Sequence, residues 1–182
     1  MLTQEERTYL LNIARQSIEL AVNEKTPPVP NDCPEVFQIP SGAFVTIHKF
    51  GELRGCIGYI EATRPLIDTV VETASHAAMN DPRFMPVSID ELEDLELEIS
   101  ILSPLKEITD VNEIEVGTHG IVMEQGSNRG LLLPQVPTEY NWDRDTFLSQ
   151  TARKAGLPYD AWKKGNTKIS IFTAEIFNDS KI

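Results

Sequence analysis

An α+β fold, with a largely antiparallel sheet flanked by helices, is what this sequence predicts. Three observations carry the prediction. Two pairs of short alternating segments, 42–49 with 53–60 and 119–124 with 130–133, are each separated by a few turn-forming residues and read as hairpins. LELEISIL alternates Leu95, Leu97, Ile99 and Ile101 with Glu96, Glu98 and Ser100, the pattern of a half-buried antiparallel strand. Helical periodicity appears in a few separate places, without the strict strand–helix–strand alternation of a doubly wound sheet.

Each element follows from local pattern. Thr3 and Glu6 make a T-x-x-E capping box, and Leu10, Ala14, Ser17, Ile18 and Ala21 recur at helical spacing, which predicts a helix over 4–22. Pro27, Pro28, Pro30 and Pro34 predict an extended linker up to about residue 40. GAFVTIHK, rich in β-branched and aromatic residues, is a strand; Phe50-Gly51-Glu52 is a turn, and LRGCIGYI returns alongside. Thr63 is expected to cap a helix with Pro65 in its first turn, burying Leu66, Ile67, Val70, Val71, Ala74, Ala77 and Ala78. Asp81-Pro82 ends that helix, and Ser88 to Leu92 form a helical turn. The second hairpin turns at Gln125-Gly126-Ser127-Asn128. A helix over 143–155 ends at Gly156 and is stopped by Pro158. ISIFTAEIF, 169–177, is apolar on nearly both faces and predicts one central strand.

The chain has 182 residues, 41% hydrophobic and 24% charged, which suits one folded domain with a substantial core. A net charge of -12 argues against a general nucleic-acid binder and against adhesion to an anionic membrane, though one basic pocket remains compatible with it. Two cysteines, Cys33 and Cys56, do not make a disulfide framework, and neither has a metal-ligand spacing to a histidine. The charged, helical N-terminus does not read as a signal peptide, and no apolar run reaches membrane-spanning length. A soluble cytoplasmic protein is expected.

The chemistry concentrates in LRGCIG, 53–58. On an extended strand Leu53, Gly55, Ile57 and Tyr59 share one face, and Arg54, Cys56 and Gly58 the other. A guanidinium beside a thiol favours the thiolate, and a glycine leaves backbone open to a close-approaching group, so the glycines would clear space around Arg54 and Cys56. The same residues also fit a bland reading: a small buried thiol, an ion-paired arginine, and glycines marking a bulge. His119, between glycines in GTHG, is either a base or a tolerant turn residue. DPRF supplies Asp81 as turn-former, Arg83 as second cation and Phe84 as anchor, or is simply a helix stop with a salt bridge. Pro134 ends a strand and would line a cleft. His76, with Asp68 and Glu72, reads as a solvated helix face, and His48 as half buried. No metal site, acid/base carboxylate pair or nucleotide-binding motif stands out, and no cofactor is indicated.

LRGCIG resembles the hallmark of the AMMECR domain family, which includes the prokaryotic AmmeMemoRadiSam system protein A. GAFVTIHKFGELRGCIGYI, AAMNDPRFMPVSIDEL, IEVGTHGI, LLLPQV, NWDRDTFL and RKAGLP look like that family's blocks in the same order, over roughly 4–177. The sequence departs from it at TARKAG, where Thr151 and Ala152 stand near the place of a cysteine common in prokaryotic members. The resemblance implies one domain over 1–182, with a larger antiparallel-sheet lobe, a smaller lobe and a cleft faced by LRGCIG. It implies a pathway shared with a Memo-like protein and a radical SAM enzyme; the human relative looks like a protein-interaction factor in ubiquitin-ligase regulation. It implies no particular reaction.

Two functions are therefore expected as alternatives. In one, Cys56 is a nucleophilic or ligand-contacting thiol, Arg54 binds a small anionic ligand, and His119 or Arg83 assists, with Gly55, Gly58, Asp81, Phe84 and Pro134 shaping the site. In the other, the same region is a non-enzymatic adaptor surface whose acidity suits a basic partner.

Overall fold

The structure, a computed structural model, describes residues 1–28, 30 and 33–179. Two antiparallel four-stranded sheets and their helices make an α+β fold. The chain divides into two compact units, one of Met1–Leu102 with the segment from Glu175 on, the other of Ser103–Ala174.

The first unit opens with helix α1, Gln4–Val22, whose capping box forms as the sequence predicts: Thr3 N–H donates to Glu6 Oε2 (2.7 Å) and Glu6 N–H to Thr3 Oγ1 (3.2 Å). Strands β1, Ala43–Lys49, and β2, Glu52–Tyr59, form the first hairpin. Helix α2 spans Leu66–Met79, and β3 spans Leu95–Leu102. With β8, Ala174–Asn178, the sheet order is β2-β1-β3-β8. One sheet face carries Val45, Ile47, Leu97 and Ile99 into a core shared with Leu10, Ala14, Val70 and Ala74 of the two helices.

Two expectations need correction here. The proline segment is not extended throughout. After Pro34, Glu35–Gln38 forms a 3-10 turn that buries Phe37 completely and stacks it 5.5 Å from Tyr9 on α1. A single aromatic with a helix face to bury against outweighs the prolines' preference, and positions 29, 31 and 32 of the linker lie outside the described residues. Thr63 is not the cap of α2. Pro65 takes that place, Leu66 N–H donates to the Ile39 carbonyl (3.2 Å), and Pro40 bridges Pro65, so backbone supplies the acceptor that a side chain was expected to provide. The buried face of α2 is otherwise as predicted, except that Val71 is half buried.

The second unit holds β4, Lys106–Ile108; β5, Gly120–Gln125; β6, Asn128–Leu132; and β7, Lys168–Phe172, in the order β4-β7-β5-β6. Helices α3, Val136–Glu139, and α4, Arg144–Lys154, complete it, and Phe147 and Leu148 of α4 are fully buried with Ile121 and Met123. The β5–β6 hairpin and α4 stand where the sequence puts them. Gly156 ends α4 with φ of 74°, a left-handed residue where glycine has no steric penalty. Thr151 and Ala152, in the TARKAG departure, are both fully buried, and Thr151 donates back to the Phe147 carbonyl.

ISIFTAEIF is two strands, not one. Its first half is the central strand β7 of the second sheet, and its second half is the edge strand β8 of the first. The break falls at exposed Thr173, whose N–H donates to Ser103 Oγ and whose carbonyl accepts from Ser103 N–H, both at 2.9 Å. An apolar run reports burial on both faces, which two sheets satisfy as well as one.

Candidate functional site

Strand β2 is an edge strand, and Arg54 is an irregularity in it. Ile47 pairs with Gly55 and His48 with Leu53, so Arg54 is the extra residue of a β-bulge. The bulge also explains a miss. Leu53, which strict alternation would place on the same inward face as Ile57 and Tyr59, is 41% exposed because one added residue breaks that alternation. Beyond the bulge the predicted faces hold: Gly55 and Tyr59 face α2, Tyr59 Oη donating to Glu72 (2.9 Å).

The two glycines do not clear space for a visitor; groups of the protein fill it. A Cβ on Gly55 would lie 2.1 Å from the Ala77 carbonyl oxygen, so the glycine lets α2 press directly on the strand. A Cβ on Gly58 would meet the Phe44 ring at 2.2 Å and the Ala43 carbonyl at 2.5 Å, so that open side is occupied by the neighbouring strand. The room expected around Arg54 and Cys56 therefore has a structural use.

Arg54 and Cys56 belong to two adjoining networks. Arg54 grips Glu91 bidentately, Nε to Oε1 and Nη2 to Oε2, each at 3.0 Å, and its Nη1 donates to the Met85 carbonyl (2.9 Å). Glu91 also accepts from Lys49 Nζ (3.1 Å) and from Ser88 N–H (3.0 Å). Arg54 is thus a clamp holding the 85–91 segment against the strand, and its guanidinium is already committed.

Cys56 belongs with Asp81 and Arg83. Its N–H donates to Asp81 Oδ2 (2.9 Å), its carbonyl accepts from Arg83 Nη2 (3.3 Å), and Thr46 Oγ1 lies 3.3 Å from its sulfur. Asp81 is buried and holds Arg83 through Nε (2.9 Å) and Nη2 (2.6 Å). Arg83 reaches Cys56 through that carbonyl, and its charged form is favoured first by the Asp81 hydrogen bond and, more weakly, by Cys56. The Arg83 side chain is 53% exposed, and its Nη1 has no acceptor among the described residues. Phe84 lies under both arginines, 5.4 Å from Arg83 and 6.0 Å from Arg54. Neither cysteine is in a disulfide.

Both carboxylates are held strongly acidic. The Arg83 hydrogen bond, helped by the Cys56 and Arg83 amides, brings Asp81 down to about 2. Arg54, then the Ser88 amide, brings Glu91 to about 2. Against ordinary values of 3.8 and 4.5, each stabilises the folded state by about 2–3 kcal/mol at neutral pH. Because the folded values are lowered, that contribution is complete above about pH 5 and is lost as pH falls through 4.5 towards 2. Urea unfolding midpoints measured from pH 7 to pH 3 are expected to fall steeply below pH 5, and less steeply in Glu91→Gln.

The remaining candidates lie in the second unit. His119 Nδ1 accepts the Glu115 N–H (3.0 Å), closing a turn. Pro134 is buried just after β6. Sequence reasoning missed Glu91, Thr46 and Lys49 as parts of this region. Glu91 was findable, since Ser88-Ile89-Asp90-Glu91 is a capping box that does form. Among the described residues no helix is long and apolar enough to cross a membrane, and no three His, Cys, Asp or Glu side chains could together hold a metal ion.

The chain has relatives over nearly its whole length. A protein of Methanothermobacter thermautotrophicus is 44% identical over 185 residues, covering 98% of this chain and 96% of that one. A protein of Thermococcus gammatolerans is 42% identical, covering 94% and 89%. The crystal structure of the uncharacterized protein PH0010 from Pyrococcus horikoshii superposes with a TM-score of 0.94 at 38% identity, covering 97% of this chain and 93% of that one. The AMMECR1 family model matches residues 11–177, from α1 through β8 and across the LRGCIG strand and its DPRF partner, so the chain belongs to the AMMECR1 family.

Proposed function

We propose that Cys56 and Arg83 form a binding site for a small anionic ligand, with the sulfur in contact with that ligand. The observation that carries this reading is the half-exposed Arg83 side chain, held beside Cys56 by buried Asp81, with no acceptor for Nη1 among the described residues. A cation fixed by a buried carboxylate keeps its geometry when a ligand arrives, so little ordering cost is added on binding. Arg54, first expected to take the anion, serves in this reading as the clamp that holds the segment following Arg83. The pathway implied by the family resemblance, shared with a Memo-like protein and a radical SAM enzyme, is the proposed setting.

Paired alkylation tests it. Iodoacetate is anionic and iodoacetamide is neutral, and either reacts with a thiolate by displacing iodide. With Cys33→Ser as background, the iodoacetate-to-iodoacetamide rate ratio at Cys56 is expected to exceed that of a free thiol and to fall about tenfold in Arg83→Gln, the equivalent of about 1.4 kcal/mol. Arg83→Lys should retain most of it. A ratio unchanged by Arg83→Gln would remove the anion site. The adaptor reading rests instead on exposed apolar side chains near Arg54, and stable co-purification with the two proposed pathway proteins would favour it.

A further inference from the structure

Four large apolar side chains stand in solvent at the turn end of the β1–β2 hairpin and the segment clamped to it. Phe50 is 76% exposed, Met85 80%, Ile89 61% and Leu53 41%. A single exposed apolar residue calls for no explanation. Each of these four is tied to one polar node, by a contact or by its place in the chain. The Phe50 ring lies 5.5 Å from Lys49 Nζ, which bonds Glu91. Leu53 precedes Arg54, which bonds both Glu91 and the Met85 carbonyl, and Ile89 sits two residues before Glu91 in the same 3-10 turn.

Phe50 is costly where it stands. Phe50 and Gly51 have φ of 53° and 80°, so this two-residue turn needs left-handed backbone at both positions. Asn-Gly is the favoured pair there, and a phenylalanine is strained as well as exposed. Beyond the Lys49 contact the ring stands in solvent, and a strained, exposed aromatic marks this turn as a candidate contact surface.

The rim around these residues is acidic. Glu52, Asp90 and Glu93 are exposed, and Asp94 is 42% exposed. The nearby cations, Lys49 and Arg54, are already paired with Glu91. An apolar centre inside a negative rim is complementary to apolar residues flanked by lysine and arginine.

We propose that this end of the first unit docks a basic amphipathic segment of a partner protein. Its apolar side chains cover Phe50, Leu53, Met85 and Ile89, and its cations reach Glu52, Asp90 and Glu93. The proposal stands on different residues from the anion site at Cys56 and Arg83, and does not depend on it. The acidic rim disfavours an anionic membrane, and it disfavours a second copy presenting the same acidic surface.

The test is an NMR titration of the 15N-labelled full chain with an 18-residue amphipathic Leu/Lys helix, alongside a Ser/Lys peptide of equal charge. The Leu/Lys peptide is expected to perturb amides in 49–54 and 85–93, and the Ser/Lys peptide to leave them unchanged. Phe50→Asn should weaken binding about tenfold, and Asp90→Lys by a similar factor. Phe50→Asn installs the favoured turn pair, so its melting temperature should hold or rise by about 2–4 °C, which separates lost binding from lost folding. A footprint elsewhere, no footprint, equal perturbation by the Ser/Lys peptide, or unaltered affinity in Phe50→Asn would each overturn the proposal. Concentration-dependent dimerisation abolished by Phe50→Asn would overturn it too, assigning the surface to self-association.

Discussion

Gly55→Ala is expected to destabilise the fold by at least about 3 kcal/mol, the upper end of the usual cost of overpacking. The added methyl would sit 2.1 Å from the Ala77 carbonyl oxygen and 3.1 Å from its carbonyl carbon. These are backbone atoms of α2, so no rotamer change relieves the clash; either the helix or the edge strand must move. Ala77→Gly would not rescue the variant, because the obstacle is the carbonyl rather than the Ala77 side chain. Urea unfolding of Gly55→Ala, alone and with Ala77→Gly, checks both statements. A midpoint within error of the parent protein would mean that α2 does not press on the strand as described. Since α2 also carries the helix end that leads into Asp81, the same shift should loosen the Cys56–Asp81 contact.

Asp81→Ala should cost about 2–3 kcal/mol, below the full penalty for breaking a buried pair because Arg83 is half in water. Two groups lose Asp81 together: the Cys56 N–H, which an edge strand cannot offer to a neighbouring strand, and the Arg83 guanidinium, which keeps its contact with the Cys56 carbonyl. For a chain of this size the melting temperature should drop by about 5–10 °C. A second readout separates positioning from stability. At a temperature where Asp81→Ala is fully folded, amide hydrogen exchange at Cys56 should be much faster than in the parent, while exchange in the β5–β6 hairpin stays the same. Unchanged protection at Cys56 would show that Asp81 does not hold the strand edge. In the same variant the iodoacetate preference at Cys56 should weaken, because Arg83 is no longer held beside it.

Much of the architecture was legible because burial leaves a local imprint. The 3.6-residue stripe of α1, the capping box at Thr3, and the alternation in β1 and β3 are written within a few residues of where they act. The juxtaposition of Arg54 and Cys56 in one strand was legible for the same reason. What each of them does was not, because their partners lie far along the chain. Glu91 is 37 residues from Arg54, and Asp81 is 25 residues from Cys56. Nothing in LRGCIG distinguishes a guanidinium committed to a distant carboxylate from one left for a ligand.

By itself, then, the amino-acid order determined the α+β class, most of the helices and strands, the hairpin that carries Cys56 and the family the chain resembles. Only the tertiary structure decided that the apolar run 169–177 serves two sheets, that a bulge turns Leu53 outward, and that α2 and Phe44 occupy the space left by Gly55 and Gly58. It also decided that Arg83 lies against the Cys56 carbonyl while Arg54 is tied to Glu91. The physical reason is one of range. Periodicity, capping and turn propensity act over a few residues, whereas partner choice and the filling of space depend on backbone brought together from distant parts of the chain.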